Sequence, residues 1–556
     1  MQNVATRGFF KGMSPRVTAV STVVIAASAL AGAIYPEQLE ELVTGFRESL
    51  TPFLQWYYVI IVAAFLLLVI WLGVGRYKNV RLGQDHEVPE FRTFSWLTML
   101  FAAGMGVGLI FWAVAEPISH FDSNPFLLPG DDPSEAANTA LRLAYFHWGF
   151  NGWAVFSLVA LILAYFSFRR GLPLTMRSAF YPLIGRNIHG RWGDAIDILA
   201  VFATVFGIAT TLGLGIQQLN AGLDELLGIG IEAHWQIIIG ATVMAIATIS
   251  VLFGVASGVR LVSEANFWMS SAILLFFLLW GPTNYLLALI VQSTGDYLQS
   301  LFNLSFYTHA NAPGADWQAE WTLFYWGWWI AWAPFVGIFI ARISRGRKLR
   351  DFVMGVLMVP TGITIVWIGL FGGNAIYIEL FGSGGIVEAT QRDVTTAVYR
   401  TIELMDAGRV ATGASILITV LIGTYLITSA NAGILVTQTL LSNGSTDISR
   451  THTVIWGTVI ALVTVVLLTA GGLATLQGAV IAAALPFSFI ILGMIVGLIR
   501  ALEDERFAAE PGERATPPME PWAQAETEWT VEGSASEETE TATDQETDQY
   551  QEQEKK

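Results

Sequence analysis

The stretch AAGMGVGLIF, Ala102 to Phe111, carries three glycines at alternate positions inside an apolar segment of membrane length. Each glycine costs a helix interior about 1 kcal/mol relative to alanine. A helix-packing motif accounts for Gly104 and Gly108, which are four residues apart, but leaves Gly106 unexplained. An interrupted helix accounts for all three, because freed backbone carbonyls at membrane depth can bind ions and substrates. We favour the interrupted helix and keep the packing motif as the alternative.

The composition is that of a polytopic membrane protein. The 556 residues are 54% hydrophobic and 13% charged, with a mean hydropathy of +0.54. A spanning helix needs about 20 apolar residues, so we predict an all-α protein with twelve transmembrane helices. The predicted spans are 17–36, 53–75, 94–115, 138–168, 193–223, 235–257, 265–291, 321–341, 352–372, 410–440, 452–471 and 476–499.

The remaining sequence features argue against an enzyme or an ATP-driven pump. The chain has no cysteine, its seven histidines show no metal-ligand spacing, and no span pairs a nucleophile with a base. GMGVG lacks the final glycine of a dinucleotide-binding loop and the strand before it, and no Walker motif appears. We therefore expect no cofactor and no nucleic acid partner.

The distribution of charge orients the chain in the membrane. With a cytoplasmic N-terminus, 24 of the 29 Lys and Arg residues lie in cytoplasmic segments, as the positive-inside rule requires. Both termini are then cytoplasmic, in a protein of the cell inner (plasma) membrane. Residues 501–556 hold 17 acidic and 4 basic residues, which predicts an acidic disordered cytoplasmic tail.

A second interrupted helix is expected where an inverted repeat would place it. The eighth span contains Gly327, Pro334 and Gly337, and proline removes one helical hydrogen bond. The predicted organisation is a cytoplasmic N-terminus and two peripheral helices, followed by two five-helix repeats and the tail. The corresponding ranges are 1–16, 17–92, 93–304, 305–500 and 501–556.

Clustered tryptophans point to a cationic ligand. Trp317, Trp321, Trp326, Trp328, Trp329 and Trp332 lie close together along the eighth span. Buried indole faces bind quaternary ammonium ions by about 2 kcal/mol or more per contact. Because we find no unpaired acid inside the spans, and Glu116 stands at the end of the third, a zwitterion with its own carboxylate is the favoured ligand. An interfacial aromatic belt is the alternative for the outermost members.

Three segments together resemble the betaine/carnitine/choline transporter (BCCT) family: GMGVGLIFWAVAEP, FHWGFNGWAVF and WTLFYWGWWIAWAPFVGIFIARISRGR. The resemblance covers residues 10–500. It implies a LeuT-like 5+5 inverted-repeat core and a homotrimer. It also implies a substrate site whose aromatic box is Trp148, Trp153, Phe156 and Trp329. Met105, Gly106 and Gly108 would also contact the substrate, and Trp328, Trp332 and Phe335 would line its pathway.

Two departures within that site bear on the substrate. Phe156 replaces the tyrosine of glycine betaine transporters, and Gly108 stands where choline-transporting relatives tend to carry an aspartate. The missing aspartate agrees with a zwitterionic substrate.

The resemblance also implies a sodium site formed by backbone and hydroxyl oxygens. Its ligands would be Ala102, Met105, Tyr425, Thr428 and Ser429. Hydroxyls in membrane helices often bond their own i−4 carbonyls instead. Thr204 matches a residue of the relatives' second sodium site, whereas Ile208 replaces a hydroxyl residue there.

The sequence thus predicts a sodium symporter that imports a zwitterionic compatible solute by alternating access. Glycine betaine, ectoine or a related ammonium or sulfonium compound is the expected substrate, with membrane lipid as the surroundings. The alternative is a sodium-independent carnitine/betaine-type exchanger, and choline uptake ranks below it.

Overall fold

The computed structural model describes residues 4–104, 106–127, 130, 132–253, 256–310, 315–445 and 450–508. These residues are almost entirely helical. Their β-structure consists of two isolated bridges, Ala5 with Lys11 and Arg81 with Lys348. Their α-helices are α1 (Pro15–Ile34), α2 (Pro36–Val74), α3 (Thr93–Gly104), α4 (Val107–Asp122), α5 (Pro133–Trp148), α6 (Phe150–Ala164), α7 (Tyr181–Ile184), α8 (Arg191–Leu227), α9 (Ala233–Leu252), α10 (Ala256–Trp280), α11 (Thr283–Ser305), α12 (Ala315–Gln318), α13 (Phe324–Ile343), α14 (Leu349–Phe381), α15 (Ile386–Arg392), α16 (Ala397–Leu404), α17 (Arg409–Leu441) and α18 (Arg450–Ala508). Short π-helices cover Tyr165–Arg169 and Ala319–Leu323, and 3-10 helices cover Met176–Phe180, Gly185–His189 and Val394–Thr396.

Ten helical segments of the described chain are long and apolar enough to cross a bilayer. They are Pro15–Ile34, Phe53–Val74, Pro133–Arg169, Arg191–Leu227, Ala233–Leu252, Leu261–Trp280, Asp316–Ile343, Leu349–Phe381, Arg409–Leu441 and Arg450–Asp504. The prediction of a polytopic all-α membrane protein is confirmed at this level.

The glycine-rich stretch interrupts its helix, as predicted. The helix α3 ends at Gly104, and α4 begins at Val107 after Gly106, whose backbone is extended (φ −152°, ψ 176°). At 12 and 16 residues, neither half alone reaches spanning length. The second half continues to Asp122 and not to 115, so Glu116 lies within α4 rather than at its end.

A pair of glycines divides α18. Gly471 and Gly472 have non-helical backbone angles, and Gly472 is left-handed (φ 58°, ψ −130°), a conformation that glycine adopts without a steric penalty. The division falls where the sequence predicts one span to end, at 471. The second half continues to Ala508, past the predicted start of the tail at 501. Residues 509–556 lie outside the described residues.

The predicted interruption of the eighth span is wrong. Helix α13 runs from Phe324 to Ile343 with Pro334 inside it. Proline forfeits one hydrogen bond, and neighbouring groups in a membrane bundle can compensate for it. The two glycines serve close packing instead: a Cβ on Gly337 would lie 2.7 Å from Val159 Cγ1, and one on Gly327 would lie 3.0 Å from Ile481 Cγ1.

The predicted span 265–291 is also wrong, because it joins two helices. The first, α10, ends at Trp280, and α11 begins at Thr283 after Gly281 and Pro282. Proline cannot donate the amide hydrogen bond that would continue α10. Hydrophobic composition does not reveal this boundary, because the segments on both sides of Gly281 and Pro282 are hydrophobic.

Burial separates the central helices from the peripheral ones. The most apolar window of Pro133–Arg169 is 94% buried, compared with 22% for Ala233–Leu252 and 28% for Leu261–Trp280. Within the bundle, α13 packs against α6, α8 and α18, and α4 packs against α5 and α14. The aromatic and polar side chains of α5, α6 and α13 therefore meet inside protein and not at its surface.

A buried tryptophan cluster as the candidate substrate site

A second helix break, which the sequence analysis missed, shapes this site. Gly149 separates α5 from α6 with a non-helical backbone (φ −95°, ψ −138°). A Cβ there would lie 2.5 Å from both the Tyr145 carbonyl oxygen and the Tyr297 hydroxyl oxygen. The Tyr297 hydroxyl accepts a hydrogen bond of 2.9 Å from the first amide of α6, Phe150 N–H. The glycine between Trp148 and Phe150 is the local sequence signal of this junction.

The four residues predicted to form an aromatic box lie together, and all four are buried. Trp329 of α13 is central, since its ring centroid lies 4.6 Å from Phe156, 5.8 Å from Trp153 and 5.9 Å from Trp148. The tryptophan pairs meet edge-to-face, at interplanar angles of 61° and 77°. We call Trp148, Trp153, Phe156 and Trp329 the tryptophan box.

A column of stacked rings continues from the tryptophan box along α13. Trp328 and Trp332 have centroids 6.2 Å apart, and Trp332 and Phe335 have centroids 5.6 Å apart with nearly parallel planes. Phe156 joins the column to the box, at 5.8 Å from Trp332. Trp332 and Phe335 are partly exposed, so this aromatic surface extends from the buried box towards open space.

Glycines let the backbone approach these rings. A Cβ on Gly108 would lie 2.3 Å from Trp328 Cη2, and one on Gly152 would lie 2.4 Å from Trp329 Cε2. Gly106 differs, because a Cβ there would meet no heavy atom of the described chain within 4 Å. Met105, also predicted to contact substrate, lies outside the described residues.

Polar groups fix the indole rings through their N–H groups. Trp148 donates to Glu116 Oε2 at 2.8 Å, Trp329 to the His147 carbonyl at 3.0 Å, and Trp328 to Thr211 Oγ1 at 3.1 Å. The buried Trp153 Nε1 has no hydrogen-bond partner among the described residues. Three of these four orientations are therefore set by the protein itself.

Sequence reasoning also missed a buried cluster beside the box. Glu116, His120 and His147 are fully buried, and their potential ligand atoms lie within 4.8 Å of one another. The grouping of His120 with His147 is not visible as a spacing along the chain and arises only in the fold. Glu116, expected at the end of the third span, lies inside α4 and is paired with hydrogen-bond donors. The Glu116–His120 spacing of four residues on one helix is a local signal for the cluster. His147 lies 31 residues from Glu116.

The residues predicted to bind sodium occupy two elements. Tyr425, Thr428 and Ser429 lie in α17, where the Thr428 hydroxyl donates to the Thr424 and Tyr425 carbonyls at 3.1 and 3.0 Å. This is the back-bonded arrangement that is common for hydroxyls in membrane helices. Ala102 lies in α3, and Met105 is outside the described residues.

One glycine brings the start of α4, which follows the helix break, close to α17. A Cβ on Gly215 of α8 would lie 2.4 Å from Val107 Cγ1 and 2.6 Å from Leu426 Cδ2. The start of α4 and the Tyr425–Ser429 segment of α17 therefore meet across one glycine.

The residues of the second predicted sodium site make ordinary helix contacts. The Thr204 hydroxyl donates to the Ala200 carbonyl at 2.7 Å. Ile208 packs against Gly433, since a Cβ on that glycine would lie 3.0 Å from both Cδ1 and Cγ2 of Ile208. The Thr204 hydroxyl is therefore bonded to its own helix, as that of Thr428 is. Ile208, one turn later, supplies no side-chain oxygen.

This chain is similar to known membrane transporters. A family model described as "BCCT, betaine/carnitine/choline family transporter" matches residues 16–507. A glycine betaine transporter of Acinetobacter baylyi is 39% identical over 516 residues, which cover 92% of this chain and 77% of that protein.

Two further relatives extend the comparison. A probable glycine betaine transporter of Desulfitobacterium hafniense is 40% identical over 494 residues, covering 87% of this chain and 98% of that protein. An osmo-dependent choline transporter of Acinetobacter baylyi is 36% identical over 497 residues, which cover 88% of this chain and 72% of that protein. These matches place the chain among transporters and not among enzymes. With its apolar helices and a family match over nearly its whole length, this chain is a multi-pass membrane protein that belongs to the betaine/carnitine/choline transporter family.

Proposed function

We propose that the protein imports a zwitterionic compatible solute, with glycine betaine as the first candidate and ectoine or a related compound as others. The observation that carries this proposal is the tryptophan box, in which the buried rings of Trp148, Trp153 and Phe156 all contact the ring of Trp329. Desolvated indole faces attract a quaternary ammonium group through their quadrupoles. The names of two relatives that cover most of this chain also support glycine betaine.

We propose sodium as the coupling ion. Hard oxygen donors suit a small cation, and the Tyr425–Ser429 segment supplies carbonyl and hydroxyl oxygens opposite the interrupted helix. The packing of Val107 and Leu426 against Gly215 supports that juxtaposition. Sodium would lie between Ala102, Met105, Tyr425, Thr428 and Ser429. A second ion at Thr204 receives less support, because Ile208 adds no oxygen there.

The proposed architecture has twelve spans. The interrupted α3–α4 segment would act as one span, and the glycine pair in α18 would separate two. Spans three to seven and eight to twelve would form LeuT-like repeats over 93–304 and 305–500, after two peripheral helices over 17–92. Rocking of one helix bundle against the other would expose the site alternately to each side. We further propose a homotrimer in the inner membrane with cytoplasmic termini.

Transport measurements test the ion and the substrate together. The full chain, expressed in cells lacking other uptake systems, is offered labelled glycine betaine in sodium medium and in otherwise identical potassium medium. We expect uptake to need sodium. Undiminished uptake in potassium would overturn sodium coupling and favour a carnitine/betaine-type exchanger. The absence of glycine betaine uptake in both media would overturn the proposed substrate.

Substitution of Trp329 tests the tryptophan box. Loss of one desolvated cation–π contact of about 2 kcal/mol lowers affinity about 30-fold, so W329L should raise the KM for glycine betaine by at least that factor. Trp268 on α10 is 69% exposed, and W268L is the matched control, with an expected KM near that of the unchanged protein. A W329L variant that binds glycine betaine with near-normal affinity in a fluorescence titration would contradict the proposed site.

Choline is a candidate substrate that ranks below these zwitterions. The buried Glu116 carboxylate, whose Oε2 accepts from Trp148 at 2.8 Å, places an acid beside the box. Such an acid is a counter-charge for a bare cation, and one relative is named a choline transporter. A competition assay with betaine, ectoine, carnitine, choline and dimethylsulfoniopropionate ranks the candidates. Choline ahead of betaine would reverse the order proposed here.

A further inference from the structure

Glu116 stands at the centre of a closed hydrogen-bond network. Its side chain is fully buried. Oε1 lies 2.6 Å from His147 Nδ1 and 3.3 Å from His120 Nε2. Oε2 accepts from Trp148 Nε1 at 2.8 Å and from the Tyr325 hydroxyl at 2.5 Å. A carboxylate has about four lone-pair sites, and four donor groups surround this one.

The partners of the two histidines decide where their protons lie. Trp317 Nε1 is 3.4 Å from His120 Nδ1. An indole N–H can only donate, so a neutral His120 carries its proton on Nε2, towards Glu116. Glu116 Oε1 lies 2.6 Å from His147 Nδ1, and an ionised carboxylate can only accept. With Glu116 ionised, the His147 proton is therefore on Nδ1, and Nε2 accepts from the Thr322 hydroxyl at 3.0 Å.

This proton arrangement favours a hydrogen-bond network over a metal site. Metal binding by the histidines would need lone pairs on the two nitrogen atoms that face Glu116. Both of these nitrogen atoms carry protons, and the carboxylate oxygens already accept four bonds. The cluster therefore holds side chains in place.

The network reaches two of the three indoles of the tryptophan box. Trp148 is bonded directly to Glu116, and Trp329 donates to the main-chain carbonyl of His147 at 3.0 Å. The two rings meet edge-to-face at 77° with centroids 5.9 Å apart. A bond at the indole N–H fixes the rotation of the ring about its attachment, and therefore the direction in which its π face points.

We propose that Glu116 is a positioning residue of the tryptophan box, which sets Trp148 directly and Trp329 through the edge-to-face contact between the two rings. This inference rests on the proposed binding of a quaternary ammonium substrate by the box. Cation–π attraction requires the cation over the ring face, so indoles that rotate freely bind it less well. An ionised Glu116 that accepts from the Trp148 N–H would also push electron density into the π system of that ring.

The first test replaces the acid with its amide in the full-length chain. Glutamine keeps the shape of the side chain, but its amide nitrogen replaces one accepting carboxylate oxygen. This nitrogen donates towards a neighbouring N–H or O–H group, so a charge-assisted hydrogen bond is lost. E116Q should raise the KM for glycine betaine about tenfold or more, with a much smaller change in Vmax. Asp122 ends the same helix and is exposed, so D122N is the matched control and should stay within about twofold of the unchanged protein.

A second variant tests the network should E116Q fail to reach the membrane. T322V keeps the shape of the side chain and removes the hydroxyl that donates to His147. It leaves Glu116 and the box intact and should raise the KM a few-fold. Correctly folded E116Q and T322V proteins with unchanged KM would overturn the inference, as would a loss of Vmax without a change in KM.

A double-mutant cycle asks whether Glu116 acts through Trp148. W148F lacks the indole N–H, so E116Q should raise the KM by a smaller factor on the W148F background than on the unchanged one. Equal factors would contradict the proposed route. The failure of the proposed function is distinct, because it would appear as no glycine betaine uptake by the unchanged protein.

A substrate-free measurement completes the test. In protein labelled with 15N-tryptophan, the Trp148 indole N–H resonance is identified by its disappearance in W148F. We expect it to shift in E116Q and to stay in place in D122N. A resonance unmoved by E116Q would show that Glu116 does not hold this ring, whatever the substrate is.

Discussion

At the scale of single residues, the glycines of one short stretch have different structural roles. Gly108 contacts the face of Trp328, since a Cβ there would overlap the ring at 2.3 Å, whereas Gly106 borders open space. The packing and interruption explanations of AAGMGVGLIF are therefore both partly correct: Gly108 permits close approach, and Gly106 lies in the break itself. Spacing in the sequence could not separate these roles, because Trp328 lies far along the chain.

A pair of alanine substitutions separates them. G108A would force a methyl group into Trp328, and overpacking of this kind costs about 1–3 kcal/mol, so its melting temperature in detergent should fall. G106A should melt near the unchanged protein, because its extended backbone (φ −152°) suits any residue. Equal melting temperatures for G108A and the unchanged protein would show that Trp328 moves aside without cost.

At the scale of helices, the box depends on two interrupted segments that differ from the predicted pair. The break before α4 was predicted from three glycines. The break between α5 and α6 is marked in the sequence by one glycine, Gly149. The break predicted at Pro334 does not occur, and α13 continues through this proline. Glycine and proline weaken a helix locally, but packing decides whether it opens. At Gly149 the contact that accompanies the break comes from Tyr297, on α11.

Removal of that contact should weaken the junction. In Y297F the partly buried Phe150 N–H loses its acceptor, and the loss of a hydrogen bond costs about 1 kcal/mol. We expect a lower melting temperature and reduced uptake, since α6 carries Trp153 and Phe156. Y285F on the same helix is the control and should behave as the unchanged protein. A Y297F variant of unchanged stability would indicate that another group accepts from this amide.

At the scale of the whole molecule, a polar clamp joins two distant loops at one end of the bundle. Leu82 N–H donates to the Arg347 carbonyl at 2.8 Å, and Gly346 N–H donates to the Leu82 carbonyl at 2.7 Å. Arg345 adds two bonds to Glu87, at 2.9 and 3.0 Å. The clamp joins the segment after α2 to the loop between α13 and α14. Helix α13 carries Trp329.

The acid in this clamp predicts a pH dependence. Burial raises the pKa of Glu87, but the hydrogen bonds and charge of Arg345 outweigh it, so that the pKa lies below its ordinary value. Its stabilising contribution is therefore complete above the ordinary pKa of about 4.3 and is lost as the pH falls through the lowered value.

The measurement is the pH dependence of the melting temperature. Because Arg345 is half exposed, E87Q should cost about 0.5 kcal/mol at neutral pH, and the difference should vanish in strong acid. Glu48 is exposed, and E48Q is the control. A constant difference at all pH values would show that Glu87 acts through packing and not through its charge.

The sequence alone determined the membrane class, the interrupted helix at AAGMGVGLIF, the end of one span at 471 and the family, because these depend on composition and on motifs local in the chain. Only the tertiary structure decided that α5 and α6 separate at Gly149, that Pro334 stays helical and that Glu116 lies bonded to the tryptophan box. The physical reason is the distance along the chain between partners. Glu116 and Tyr325 are 209 residues apart, and Trp148 and Glu116 are 32 apart. Of the donors to this buried acid, His120 is local in the chain, but Trp148, His147 and Tyr325 are brought to it only by folding.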